Sequence, residues 1–130
     1  MSFLDVIPHT LFRMLSSSAH ARNVAVLESI FEQFFDDFAF APKKAEVLQV
    51  IRQVLDNPDF RTITDDGEIP TPETAEHVVY GRLRDDGWIM EVANRKATEV
   101  YMPREAHALL SSLITLKEEL KVDISAEASL

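Results

Sequence analysis

Residues 71–103, TPETAEHVVYGRLRDDGWIMEVANRKATEVYMP, constrain the fold more than any other stretch of this chain. Thr71, Pro72, Glu73 and Thr74 read as a helix start, since proline fits a first helical turn and acids there favour the helix dipole. Ala75, Val78, Val79 and Leu83 recur at three- and four-residue steps and form the buried side of a helix over residues 72–86. The pattern stops at Gly87, the residue type that most readily takes the left-handed conformation just past a helix end. Residues 88–92 and 98–102 are strand-like and partly alternating, with Asn94-Arg95-Lys96 as the turn between them. A helix running straight into a two-stranded hairpin is the second half of a winged helix-turn-helix.

The preceding residues supply the other helices. Phe3, Leu4, Val6 and Ile7 form an apolar start too short to stand alone. Pro8-His9-Thr10 opens a short helix with Leu11, Phe12 and Leu15 on its apolar face, and Ser16, Ser17 and Ser18 end it. Residues 20–37 predict a long helix whose stripe is Val24, Leu27, Phe31, Phe34 and Phe38, widened by Ile30 and Phe35. That stripe is broader than one core contact requires, which makes part of it a candidate interface beside its core role. After a linker, Phe38 to Ala41, Pro42 opens a helix over residues 42–57 with Val47, Leu48, Ile51, Val54 and Leu55 on one face, and Asn57-Pro58 closes it. Residues 58–70 form a loop with an Asp65-Asp66-Gly67 turn, and residues 60–63 offer a short strand to pair with the hairpin. Pro103 opens a last helix, residues 104–121, carrying Ala106, Leu109, Leu110, Leu113, Leu116 and Leu120. The expected architecture is mostly helical with a small β-hairpin: one winged-helix domain over residues 1–121 with flanking terminal helices, then a frayed tail at 122–130.

Composition narrows the function. A hydrophobic content of 46% supports a core in a chain of 130 residues. Thirteen Lys and Arg stand against 22 Asp and Glu, a net charge of −9, so extended contact with nucleic acid or anionic membrane is disfavoured. Absence of cysteine excludes disulfides, thiolate zinc sites and cysteine nucleophiles. His9, His20, His77 and His107 lack metal-site spacing and read as surface or cap residues. The three glycines are too scattered to cradle phosphate, and no catalytic motif is present. The expectation is therefore a non-enzymatic protein with no cofactor and no metal. The N-terminus is neither a signal peptide nor a membrane span, because Asp5, Pro8, His9 and Arg13 interrupt it, so the expected setting is the cytoplasm.

The helix over residues 72–86 occupies the position that reads DNA in many winged helices. Its Arg82 and Arg84 face four acids, Glu73, Glu76, Asp85 and Asp86, for a balance of −2 that opposes base readout. Arg95 and Lys96 at the wing tip are the best candidates for DNA contact, with Lys43 and Lys44 as a second basic spot, though solvated hairpin tips are commonly charged. Apolar stripes near both chain ends point instead to pairing, with Leu11, Phe12, Phe31, Phe35, Leu109, Leu113 and Leu116 as dimer-interface candidates.

Leu11-Phe12-Arg13-Met14-Leu15, the long helix after Ala21, and above all Val79-Tyr80-Gly81-Arg82-Leu83-Arg84-Asp85-Asp86-Gly87-Trp88-Ile89 resemble the N-terminal region of JetA. JetA is the kleisin of the bacterial Wadjet plasmid-defence system, related to the condensin kleisins MukF and MksF. Tyr80, Arg82, Leu83, Gly87, Trp88 and Ile89 fall where that family carries its helix-to-wing motif, and the resemblance covers most of residues 8–120. It implies an N-terminal winged helix that dimerises the kleisin. It also implies as partners an SMC ATPase and a small winged-helix accessory subunit, with DNA engaged through the assembled complex. Such kleisins continue through a helical region and a C-terminal winged helix, so the resemblance is either to their N-terminal domain or to its fold alone. The alternative is a winged-helix transcriptional regulator that reads DNA through residues 72–86 and the Arg95-Lys96 wing.

Overall fold

The structure is a computed structural model that describes residues 1–37, 41–60 and 75–128, with side chains of the last helix described through Lys121. Short 3-10 turns at Phe3–Asp5 and His9–Phe12 lead into α1 (Arg13–Ser16). α2 (His20–Ile30), α3 (Lys44–Leu55) and α4 (Ala75–Asp85) follow, then β1 (Met90–Ala93), β2 (Thr98–Tyr101) and the long α5 (Arg104–Ala128). The fold is mostly helical with a small two-stranded antiparallel sheet, as the residue pattern predicts. The Asp65-Asp66-Gly67 turn, the Thr71–Thr74 helix start and Phe38 lie outside the described residues.

The hairpin pairs Met90 with Tyr101 and Ala93 with Thr98, and the Asn94 N–H closes its turn on the Ala97 carbonyl at 3.0 Å. A third segment joins it. Lys43 makes an antiparallel bridge to Glu99, and the Val100 N–H donates to the Pro42 carbonyl at 2.8 Å. The strand-like partner of the hairpin is thus the segment entering α3. The residue pattern places that strand at residues 60–63; Phe60 sits in a 3-10 turn, Pro58–Phe60, and residues 61–63 lie outside the described residues. Pro42 reads as a helix opener but serves here through its carbonyl, the one backbone hydrogen-bonding group that proline retains. The order helix, bridging segment, helix, helix, hairpin is compatible with a winged helix.

The core collects Leu11 and Met14 with residues of α2, α3, α4 and the hairpin. Its α2 face differs in detail from the expected stripe. Asn23, Val26, Leu27, Ile30, Phe31 and Phe35 are buried, whereas Val24 and Phe34 are half-buried. At its end α2 widens into a π turn, Phe31–Phe35, closed by the Asp36 N–H on the Phe31 carbonyl at 2.8 Å. The final carbonyls of a helix lack intrahelical partners. That of Phe35 accepts instead from His107 Nε2 at 2.9 Å, which fixes the ring proton on that nitrogen because a carbonyl only accepts. On α3, Val47, Val50 and Ile51 are buried and Leu48, Val54 and Leu55 are half-buried. α5 continues past the expected end at Lys121 to Ala128.

Candidate interaction surface

The helix-to-wing residues form a closed structural knot. The Trp88 N–H bonds the Leu83 carbonyl at 2.9 Å and the Gly87 N–H bonds the Arg84 carbonyl at 3.2 Å, the paired bonds of a Schellman motif. Gly87 sits at φ 92°, a conformation that a side chain disfavours. The turn delivers Trp88 into the core at 0% exposure, where its indole Nε1–H donates to the Leu11 carbonyl at 3.0 Å. Leu83 and Ile89 are buried beside it. A residue from the 3-10 turn before α1 thereby becomes the anchor for the residue that enters the hairpin.

Tyr80 ties the other edge of the same junction. Its hydroxyl donates to Glu91 Oε1 at 2.7 Å, and Lys44 Nζ and Arg84 Nη1 each lie 3.7 Å from that oxygen. Lys44 also stands over the Tyr80 ring, 5.0 Å from its centre. The Tyr80 hydrogen bond, aided by the two cations, holds the Glu91 carboxyl below its ordinary value. Burial, and next the bond to Glu91, push the Tyr80 phenol well above its own. α3, α4 and β1 meet at this cluster.

These contacts bear on DNA reading. Arg84 is held by Glu91 and lies 3.6 Å from Asp85, while Lys44 is engaged by Glu91 and the Tyr80 ring. Arg82 is half-buried. Arg13 reaches Asp86 at 3.5 Å, and burial raises the Asp86 carboxyl above its ordinary value against the opposing pull of Arg13. Arg95 and Lys96 are exposed at the hairpin tip, as expected of a wing.

The pairing candidates separate into two groups. Leu11, Phe31 and Phe35 are interior at 1%, 5% and 6% exposure, so they are core residues with no surface to offer a partner. The breadth of the α2 stripe mostly reflects the several elements packed on it, α1, α3 and α5, with half-buried Val24 left at the edge of a groove. Phe12 is half-buried under Phe3, edge-on at 6.2 Å between ring centres. On α5 the stripe changes character along its length. Ala106 and Leu110 are buried and Leu109 is half-buried, but Leu113, Leu116 and Leu120 are 36%, 47% and 50% exposed. Beside them runs an apolar groove lined by Leu15, Val24, Leu27, Leu110, Leu113 and Ile114, together with Glu28 and Lys117. Lys117 Nζ donates to Glu28 Oε2 at 2.7 Å, and that carboxylate keeps the ammonium above its ordinary value.

Sequence reasoning missed two contributors. Asn23 is 1% exposed and donates from Nδ2 to the Met14 carbonyl and to Ser17 Oγ, both at 3.0 Å, while its Oδ1 accepts from Arg22 Nη2 at 3.1 Å. It therefore locks α1 onto α2. The available signal was a polar residue three before Val26 and four before Leu27, on the buried side of the helix. The second is the outer face of the hairpin, where Met90, Val92 and Tyr101 are exposed.

A family model of the Wadjet protein JetA matches residues 29–127. The chain belongs to the JetA family. The JetA match runs from within α2 into the last turns of α5, so it includes the Tyr80–Ile89 motif and the leucine ridge. Leu11-Phe12-Arg13-Met14-Leu15, part of the resemblance in sequence, lies before it. No curated protein and no solved structure matches the chain. Among the described residues of this JetA chain, no helix is long and apolar enough to cross a membrane, and no cluster of three metal-ligating side chains occurs.

Proposed function

We propose that this chain is the N-terminal pairing module of a kleisin in a bacterial, condensin-like Wadjet complex that defends against plasmid DNA. The observation that carries the reading is the JetA family match over residues 29–127, which takes in the exposed leucine ridge of α5. In this role the domain is a cytoplasmic homodimer, and two motor units are joined through it. Its further partners are an SMC ATPase and a small winged-helix accessory subunit. ATP hydrolysis and DNA cleavage reside in other chains; this one is a non-enzymatic connector. The charge of −9 favours this reading over a DNA-reading regulator, as does the engagement of Arg84 and Lys44 by Glu91. DNA is met by the assembled complex, with Arg95 and Lys96 as the only contact we assign to this domain.

Light-scattering chromatography of the chain, paired with titration against a short duplex at low salt, tests the proposal. The expected result is a dimer mass with weak duplex binding. A monomer at high concentration that binds duplex tightly, and loses that binding on Arg95→Glu, would replace the pairing module with the regulator.

A further inference from the structure

The ridge on α5 has a spacing that its groove alone does not explain. Leu109, Leu113, Leu116 and Leu120 follow one another at steps of four, three and four, the seam of a helix that pairs with another helix. The chain leaves the seam open: exposure rises from half-buried at Leu109 to 36% at Leu113, 47% at Leu116 and 50% at Leu120. A single seam of about three turns is marginal by itself. Leu15 and Val24 broaden the apolar face on the groove side, which gives a partner helix a second wall to rest on.

Charge selects the occupant and its direction. A second copy of this chain carries −9 as well and is repelled over most of the surface. On this face the charges come as a neutral pair, Glu28 with Lys117 at 2.7 Å, so a second copy meets no uncompensated charge there. The seam is uncharged from Ala108 to Thr115–Leu116, and its charges begin at Lys117, Glu118 and Glu119. Parallel pairing would set Glu118-Glu119 beside its own copy. Antiparallel pairing about a two-fold axis between Leu113 and Leu116 sets it beside the partner's uncharged first half, and it opposes the two helix dipoles favourably. The four leucines then interlock, Leu113 on the partner's Leu116 and Leu109 on the partner's Leu120.

We infer that the Leu109–Leu120 face of α5 is covered by the same face of a second copy, with the two helices antiparallel. This rests on the pairing reading above and names its seam. Because the axis repeats every change, one substitution alters the interface twice. Leu116→Glu should weaken dimerisation about a hundredfold or more while leaving the helical circular dichroism unchanged, since Leu116 is 47% exposed in the single chain. Val92→Glu, on the exposed outer face of the hairpin, should leave the dimer intact. The chain contains no cysteine, so single cysteines report orientation without background. A mixture of Leu109→Cys and Leu120→Cys chains should cross-link through a short bis-maleimide as the mixed pair, and Leu120→Cys alone should cross-link far less, since its two copies lie about eleven residues, about 16 Å, apart along the antiparallel axis. A folded Leu116→Glu that stays dimeric overturns the seam but leaves the pairing module standing. Loss of the dimer on Val92→Glu does the same and moves the interface to the wing. Efficient self-linking of Leu120→Cys overturns the antiparallel arrangement. A monomeric wild type overturns both the seam and the pairing module.

Discussion

The helix-to-wing junction and the outer half of α5 are built from equally apolar sequence, yet one is finished within the chain and the other is not. At the junction Leu83, Trp88, Ile89 and Val100 are each 0% exposed, and the indole N–H has a carbonyl partner in Leu11. On α5 the same kind of residue emerges into solvent beyond Leu110, with Leu116 and Leu120 about half exposed. The difference is one of partners. The junction sits where α1, α3, α4 and the hairpin converge, whereas α5 meets α2 along a single groove and then runs past it. Apolar periodicity states that a face wants covering; only the packing states whether the chain itself covers it.

The largest test of this contrast sets one truncation against another. Trp88→Ala removes a fully buried ring and leaves a cavity while stranding the Leu11 carbonyl, and should cost about 3–5 kcal/mol by urea unfolding. Leu116→Ala, on the unfinished face, should cost about 1 kcal/mol or less in the monomer, because about half of its surface stays in water on folding of the single chain. Equal costs would mean that α5 is covered within one chain and that the comparison fails.

A smaller effect separates the two glycines of α4 and its cap. Gly87 takes φ 92°, so Gly87→Ala should cost about 1–2 kcal/mol and loosen the turn that aims Trp88, although the space there is ample, with Leu11 Cδ2 3.6 Å from an added methyl. Gly81 lies inside α4 with nothing within 4 Å of such a methyl. Gly81→Ala should instead stabilise by about 0.5–1 kcal/mol through helix propensity. Opposite signs from the same substitution six residues apart would locate the constraint in the backbone turn and not in crowding.

Much of this junction is legible from residues 71–103. Gly87 marks the helix end, alternation marks the strands, and a large aromatic just after the cap needs a buried place. The order of elements and the hairpin turn follow from the same signals. What the residues do not announce is long-range. The Leu11 carbonyl is the partner of Trp88 from across the chain, Pro42 supplies a backbone bond to the hairpin, and Phe31 and Phe35 read as interface candidates beside a core role because their cover comes from elements distant in sequence. On α5 the stripe was legible, but the residue at which it leaves the core was not, since that depends on which distant elements lie beside each turn.

The smallest effect probes the polar edge of the junction, where Tyr80 holds Glu91. Tyr80→Phe should cost about 1 kcal/mol at neutral pH, because a hydrogen bond to a carboxylate is lost at a partly exposed site while Lys44 and Arg84 remain beside it. The cost should depend on pH in both directions. Glu91 titrates below its ordinary 4.5 in the folded chain, so its contribution is present above that value and is lost as pH falls through the lower folded one. The Tyr80 phenol is raised above its ordinary 10.0, so its contribution is full below that value and declines as the solution becomes more alkaline. The stability gap between wild type and Tyr80→Phe should therefore form a plateau between the carboxylate range and pH 10 and narrow on either side. Chemical unfolding at a series of pH values measures it directly. A gap that does not change with pH would reduce Tyr80 to a packing residue, and the edge of the junction would then be held by the same apolar contacts as its centre.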